Sequence, residues 1–103
     1  MTEHDVPSLR IEPIENGLRL IGEIDASCID SLARHLNPLP GQSGDVTIQL
    51  DDVQFIDSSG LRMLIDAHQR AEGVGRRVVM SQPSSVVRRL FEVSGLIGYL
   101  HVV

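Results

Sequence analysis

"DVQFIDSSGLRML", Asp52 to Leu64, holds the junction on which the reading of the whole chain turns. Apolar residues lead into an acid, two hydroxyls and a glycine, and a helical pattern then begins. Leu61, Leu64, Ile65 and His68 share one helical stripe, while Arg62, Asp66, Gln69 and Arg70 fall largely off it. Just upstream, "DVTIQL" alternates Val46, Ile48 and Leu50 against Thr47 and Gln49, a strand with one more apolar face. The junction is therefore strand to helix, and two adjacent serines stand where side chains become accessible.

Working outward, "LRIEPIENGLRLIGEID" reads as two extended segments around Asn16-Gly17, a dipeptide suited to the positive φ angles of a tight hairpin. In "ASCIDSLARHLN", Ile29, Leu32, Ala33 and Leu36 recur at i, i+3, i+4 and i+7, which predicts an amphipathic helix ended by Pro38 and Pro40. "PLPGQSGD" is a surface loop too short to separate domains. On the other side, Gly73 and Gly75 terminate the helix that follows the serines, and "RRVVMS" is a short strand. "QPSSVVRRLFEVSG" predicts a third helix with Pro83 in its first turn, Val86, Val87, Leu90 and Phe91 inward, and Gly95 as its stop. "GYLHVV" supplies a final strand. The order ββαβαβαβ implies an α/β fold with a small mixed, mostly parallel sheet of about four or five strands, because crossover helices join parallel neighbours.

Composition fits one globular domain spanning 1–103. Of 103 residues, 42% are hydrophobic, enough for a core and too many for a disordered chain. Aromatics are only 3% with no Trp, so the core must be aliphatic and no platform of stacked rings exists for single-stranded nucleic acid. A net charge of −5, with no basic run beyond Arg76-Arg77 and Arg88-Arg89, argues against any direct nucleic-acid partner. The single cysteine, Cys28, cannot close an intramolecular disulfide and reads as a small side chain near the core. No apolar run approaches the ~18 residues of a membrane helix, and "MTEHDVPS" is acidic, unlike a signal peptide; a cytoplasmic protein without a membrane partner is expected.

On the residues alone, the two serines admit three readings. The plainest is a helix cap by one of them, worth ~1 kcal/mol. That leaves the second hydroxyl unexplained, and also Gly60, which costs ~1 kcal/mol relative to Ala within a helix. Catalysis is poorly supported. The nucleophile elbow G-x-S-x-G is absent, since Ile56 and Asp57 stand two before the serines, and His68 lies ~12–15 Å along the same helix. The four histidines lack metal-ligand spacing in sequence, with no H-x-x-x-H or C-x-x-C, and no phosphate-binding G-x-x-x-x-G-K-[ST] loop is present. No enzyme activity, metal or cofactor is expected; His68 reads as a helix-face or core-edge residue. The third reading is modification. A serine at an exposed helix start is open to a kinase, and a phosphate there would meet free N–H groups and the positive end of the helix dipole. It would add roughly −1.5 to −2 charges to one surface.

Three motifs carry a resemblance: "GEID" at Gly22–Asp25, "VTIQLDDVQFIDSSGL" at Val46–Leu61 and "SSVVRRLFEVSGL" at Ser84–Leu96. Together they resemble a STAS domain of the bacterial anti-sigma factor antagonist family, over roughly Leu9 to Tyr99, with "FIDSSGL" the most specific piece. The resemblance implies a small sheet with helices packed on one side. It implies a partner, an anti-sigma factor that is itself a serine kinase, whose capture frees a sigma factor, and a phosphatase that reverses the kinase. It assigns phosphorylation to Ser58, with Ser59 as a neighbouring cap or hydrogen-bonding hydroxyl, Asp57 in the same loop, and Asp25 as an acid at the end of the second strand, near that loop. Asp25 also reads as an N-cap of the helix near Ala26. Gly60 would then permit close approach by the kinase. Residues 1–7 are expected to be a mobile N-terminus. Family members commonly continue into a C-terminal helix, whereas this sequence ends at Val103. The alternative within the same fold is a non-phosphorylated STAS subunit of a transporter ATPase or a stress-sensing complex; the serine favours the antagonist. Oligomeric state is left open by the sequence.

Overall fold

The computed structural model describes residues 8–103; His4 and the expected mobile terminus lie outside the described residues. Five strands alternate with three helices: β1 Leu9–Ile14, β2 Gly17–Ile24, α1 Ile29–Leu36 after a 3-10 turn at Ala26–Cys28, β3 Val46–Ile56, α2 Ser58–Gly73, β4 Val78–Ser81, α3 Ser85–Val93 and β5 His101–Val102. The strands lie side by side in chain order, β1 antiparallel to β2 and every later pair parallel. When successive parallel strands advance in one direction through right-handed crossovers, all the helices fall on the same face of the sheet. The burial pattern agrees. Leu18, Leu20, Val46, Ile48, Val78 and Met80 point into an aliphatic core closed by Leu32, Leu36, Leu64 and Phe91. Arg19 lies on the opposite face, where it contacts Asp52 and lies 3.7 Å from Asp51.

Several boundaries differ from those the sequence suggests, each for a local reason. The hairpin loop is Glu15-Asn16, one residue earlier than predicted. Asn16 takes the positive φ of 56°, while Gly17 opens β2 paired with Ile14. Gly17 is required for space: a Cβ there would lie 1.9 Å from the Thr47 carbonyl oxygen of β3. β3 runs on for eleven residues because its ladder with β2 shifts register between Arg19 and Ile21 and again between Gly22 and Glu23. The shifts replace strict alternation (Val46, Ile48, Leu50) with inward residues at Val53 and Ile56. A bulge does this by adding one residue to one strand only.

Pro83 lies outside α3. Ser84 is the cap: its Oγ accepts from the Val87 N–H and donates to the Val53 carbonyl at 2.6 Å. That start turns Val86 to solvent, contrary to its expected inward position, and leaves Val87 and Phe91 as the buried pair. Both α2 and α3 end in the same way. In α3 the Leu96 N–H reaches back to Phe91 and the Gly95 N–H to Glu92; in α2 the Arg76 N–H bonds Ala71 and the Gly75 N–H bonds Glu72. This paired pattern around a glycine of positive φ satisfies carbonyls that a helix end otherwise strands.

Candidate functional site

The parallel pairing of β2 with β3 sets Ile24 beside Ile56, so the residues that follow leave the sheet together. Asp25 follows β2 and Asp57 follows β3, and the Asp57 N–H bonds the Ile24 carbonyl at 3.1 Å. Each acid then caps the helical turn it precedes. Asp25 Oδ1 accepts from the Ser27 N–H at 3.0 Å and the Ser27 hydroxyl at 2.5 Å, as its N-cap reading required. Asp57 Oδ1 accepts from the Gly60 N–H at 3.0 Å.

This last bond corrects the expectation that a serine caps α2. Asp57 has the extended backbone of a cap residue, φ −100° and ψ −175°, while Ser58 and Ser59 are already the first two helical residues. A carboxylate at the positive end of the helix is also the electrostatically better cap. The consequence is that neither serine hydroxyl is spent on the cap. Ser58 is exposed and Ser59 half-buried.

The reason given for Gly60 also changes. Gly60 is buried, and a Cβ at that position would stand 2.5 Å from Ile24 Cγ2 and 3.0 Å from Ile56 Cγ1. The close approach in the structure is between α2 and the strand ends inside the fold. Removing the side chain seats the first turn of α2 directly on β2 and β3 and turns Ser58 outward.

Ser58 stands between two shallow depressions, of about 360 and 410 Å³, both of which it lines together with Arg62. Ile29, Ser59 and Met63 complete one, Leu61, Ile65, Asp66 and Gln69 the other. Sequence reasoning missed Arg62, Ile29 and Met63. Arg62 was findable, since it lies one turn from Ser58 at i+4. Ile29 was not, because only the packing of α1 beside α2 brings it there. The three histidines among the described residues make their contacts elsewhere than with Ser58 or Ser59. His68 is buried in the stripe Gly60, Leu64, Ala67, His68, Ala71 about 15 Å along α2. His35 Nδ1 engages the Ser31 carbonyl, and His101 Nε2 engages Glu72 at 3.0 Å. Cys28 is buried beside the same strand ends. Burial pushes its thiol up from the ordinary value of 9.0, and the charges of Asp25 and Asp57 add to that. Among the described residues no helix is long and apolar enough to cross a membrane.

Comparison with known proteins places this geometry. The family model described as "Mlab, STAS domain" matches residues 8–102. An anti-sigma F factor antagonist of Lysinibacillus sphaericus is 30% identical over 77% of this chain and 69% of its own length. An anti-sigma-B factor antagonist of Bacillus subtilis (strain 168) is 32% identical over 77% of this chain and 72% of its own. The anti-sigma factor antagonist SpoIIAA in its unphosphorylated form superposes with a TM-score of 0.68 at 22% identity, covering 92% of this chain and 87% of that one. Its phosphorylated form, from Bacillus, gives 0.65 at 18% identity, over 92% and 90%. At those identities the superpositions speak for the fold, and they bear out the mixed five-stranded sheet with its helices. The sequence matches go further: the chain belongs to the STAS domain family of bacterial anti-sigma factor antagonists.

Proposed function

We propose that this protein antagonises an anti-sigma factor that is a serine kinase, releasing the sigma factor it holds, and that phosphorylation of Ser58 switches the antagonist off. A phosphatase would reset it, and the protein would act in the cytoplasm as a binding partner rather than as an enzyme. One observation carries the reading: Ser58 is exposed at the first position of α2 and its hydroxyl is not engaged in the helix cap, because Asp57 makes that bond. A kinase can therefore take Ser58 without breaking a bond that holds the fold. The product phosphate would meet the first N–H groups of α2 and the positive end of its dipole. Arg62, one turn on, is the nearest cation along the helix. Asp25, Asp57, Ser59 and Gly60 support the site: the acids as caps, Gly60 as the packing contact that presents Ser58, and Ser59 as the half-buried neighbour.

Incubation with the cognate kinase and ATP, followed by mass spectrometric mapping, tests the assignment. Ser58→Ala should abolish incorporation and Ser59→Ala only reduce it. Label at Ser59 in the Ser58→Ala protein would move the site by one residue. Affinity capture tests the partner class: a serine kinase bound to the unphosphorylated chain supports the proposal, and a transporter ATPase in its place overturns it.

A further inference from the structure

At the far end of α2 the fold assembles three side chains that the sequence keeps apart. His68 and Glu72 lie one turn apart on α2, and His101 opens β5 some thirty residues later. One ligating atom from each, a ring nitrogen of either histidine and a carboxylate oxygen of Glu72, lies within 4.8 Å of the other two. Glu72 Oε2 and His101 Nε2 are already 3.0 Å apart, and the rings of His68 and His101 stand 5.3 Å between centroids, tilted by 53°. On a tetrahedral ion with metal–ligand bonds of about 2.0–2.2 Å, neighbouring donor atoms are about 3.4 Å apart. One pair is therefore already near bonding separation, and the third donor stands up to about 1.4 Å beyond it, a gap that side-chain rotation of the more exposed Glu72 and His101 would have to close.

His68 supplies an independent observation. It is 5% exposed, and its Nδ1 is buried with no hydrogen-bond partner among the described residues. A buried imidazole nitrogen without a partner forfeits a hydrogen bond and is uncommon in native cores. Its neighbour Tyr99 packs ring against ring at 4.8 Å, and the Tyr99 hydroxyl oxygen accepts from the Gln69 side-chain amide. The His101–Glu72 bond by itself accounts for two of the three residues and leaves His68 unexplained.

We propose that His68, Glu72 and His101 bind a divalent transition-metal ion of the Zn²⁺ class. Two imidazoles and one carboxylate are a donor set this ion prefers, and three protein ligands leave a fourth position for water or a donor from another molecule. Glu72 and His101 line an open depression of about 430 Å³ together with Gly44, Asp45, Gly75, Arg76 and Arg77, so an ion has a path to two of the three ligands, with His68 buried behind them. Arg76 and Arg77 are the cations that oppose the ion; Arg76 is held by the Gly44 and Pro40 carbonyls, and Asp45 pairs with the Arg77 guanidinium at 3.1 Å. Binding requires His101 Nε2 to give up its proton, exchanging the bond to Glu72 for one to the metal. The ion then ties the C-terminal half of α2 to the two-residue edge strand β5. The Ser58 site lies about 21 Å away along the helix, so the two readings stand or fall separately.

The test is calorimetric titration of ZnCl₂ into the full chain, stripped of metal and carrying no histidine tag, with Co²⁺ absorption as the coordination readout. One ion per chain should bind with Kd of about 10 μM or tighter. Glu72→Gln and His101→Gln should each weaken it by about tenfold or more and abolish the visible bands of tetrahedral Co²⁺, while His35→Gln changes nothing. Zn²⁺ should raise the Tm of the parent and not of the two ligand variants. Both altered residues are substantially exposed, and metal-free melts of the variants show directly whether they remain folded. Failure to saturate below about 1 mM overturns the site, as does unchanged affinity in either ligand variant, which would mean an adventitious ion held elsewhere.

Discussion

The two ends of α2 use the same residue type for opposite reasons. At the N-terminal end Gly60 has an ordinary φ and no room: a Cβ would press on Ile24 and Ile56, both buried. At the C-terminal end Gly75 has room and an unusual φ of 74°, with nothing within 4 Å of an added Cβ. The first glycine is there for packing and the second for backbone conformation. Charge divides in the same way. The N-terminal end is framed by Asp57 and Asp25, whereas the C-terminal end gathers His68, His101, Arg76 and Arg77 around Glu72. On the function proposed above, the N-terminal end would present one hydroxyl to a partner from a fixed frame, whereas the C-terminal end closes the helix onto the edge of the sheet.

If that division holds, a charge placed on Ser58 should change binding and leave the fold alone. This is the largest effect expected. A partner fitted to a neutral hydroxyl must bury a dianion; loss of ~3 kcal/mol already means a more than hundredfold fall in affinity. The enzymatically phosphorylated protein should lose most anti-sigma binding while its Tm stays within a few degrees of the parent. Ser58→Ala should melt similarly and still bind. Equal binding by the phosphorylated form would refute the switch, and unfolding of that form would show that the N-terminal end is not the fixed frame described here.

The glycines give the sharpest structural comparison. Gly60→Ala should destabilise by roughly 2 kcal/mol, since overpacking a core contact costs about 1–3 and the gain in helix propensity offsets only part. Gly75→Ala should cost about 1 kcal/mol of left-handed backbone strain, and Gly75→Asn less. In urea the order Gly60→Ala, Gly75→Ala, Gly75→Asn should appear in the midpoints at constant m. A reversed order would mean that Ile24 yields easily and the N-terminal contact is loose.

A smaller effect separates the two acids' roles as caps from any contact with the partner. Asn caps nearly as well as Asp, so Asp25→Asn should change stability by no more than a few tenths of a kcal/mol. If the charge also shapes the partner surface, affinity or phosphorylation rate should fall severalfold in binding and kinase assays. No change in either would leave Asp25 a cap alone.

The fold was largely legible because its signals are periodic. Alternation at Val46, Ile48 and Leu50 and helical spacing at Ile29, Leu32, Ala33 and Leu36 point to one face each; the three strand residues with Leu32 and Leu36 form part of the core, while Ile29 and Ala33 are only half-buried at its edge. What escaped depends on contacts distant in sequence. The identity of the α2 cap turned on backbone geometry at Asp57, which "DSS" leaves open among three capping residues. Gly60 needed the position of Ile24, thirty-six residues away, and the hairpin slipped by one because Gly17 answers to Thr47 rather than to the turn. Val86 was misplaced because the true start of α3 is set by a hydroxyl bonded to the Val53 carbonyl. Of the cluster at the other end of α2, the i, i+4 pair His68 and Glu72 was visible in sequence, whereas His101 arrives only through the pairing of β5 with β4.

Cys28 gives the finest measure of how closed the N-terminal end is. It is 8% exposed, and its Sγ lies 3.2 Å from the Asp25 carbonyl. Burial raises the thiol above 9.0, and the neighbouring carboxylates of Asp25 and Asp57 disfavour a thiolate further. The thiol should therefore be inert at neutral pH. Alkylation by iodoacetamide at pH 8 should run at least about tenfold slower in the folded chain than in denaturant, since the thiolate is the nucleophile. Because the folded value lies above the unfolded one, the stability this group contributes is complete below pH 9.0 and disappears as pH rises through the folded value. Cys28→Ser lacks that titration, so the gap in stability between parent and variant should narrow above pH 9.0 and stay constant between pH 6 and 8. Asp57→Asn should speed alkylation slightly by removing one of the opposing charges, whereas Glu72→Gln, at the far end of α2, should leave it unchanged. Fast alkylation of the folded parent would show that the strand ends open readily, and the frame that presents Ser58 would then be mobile rather than fixed.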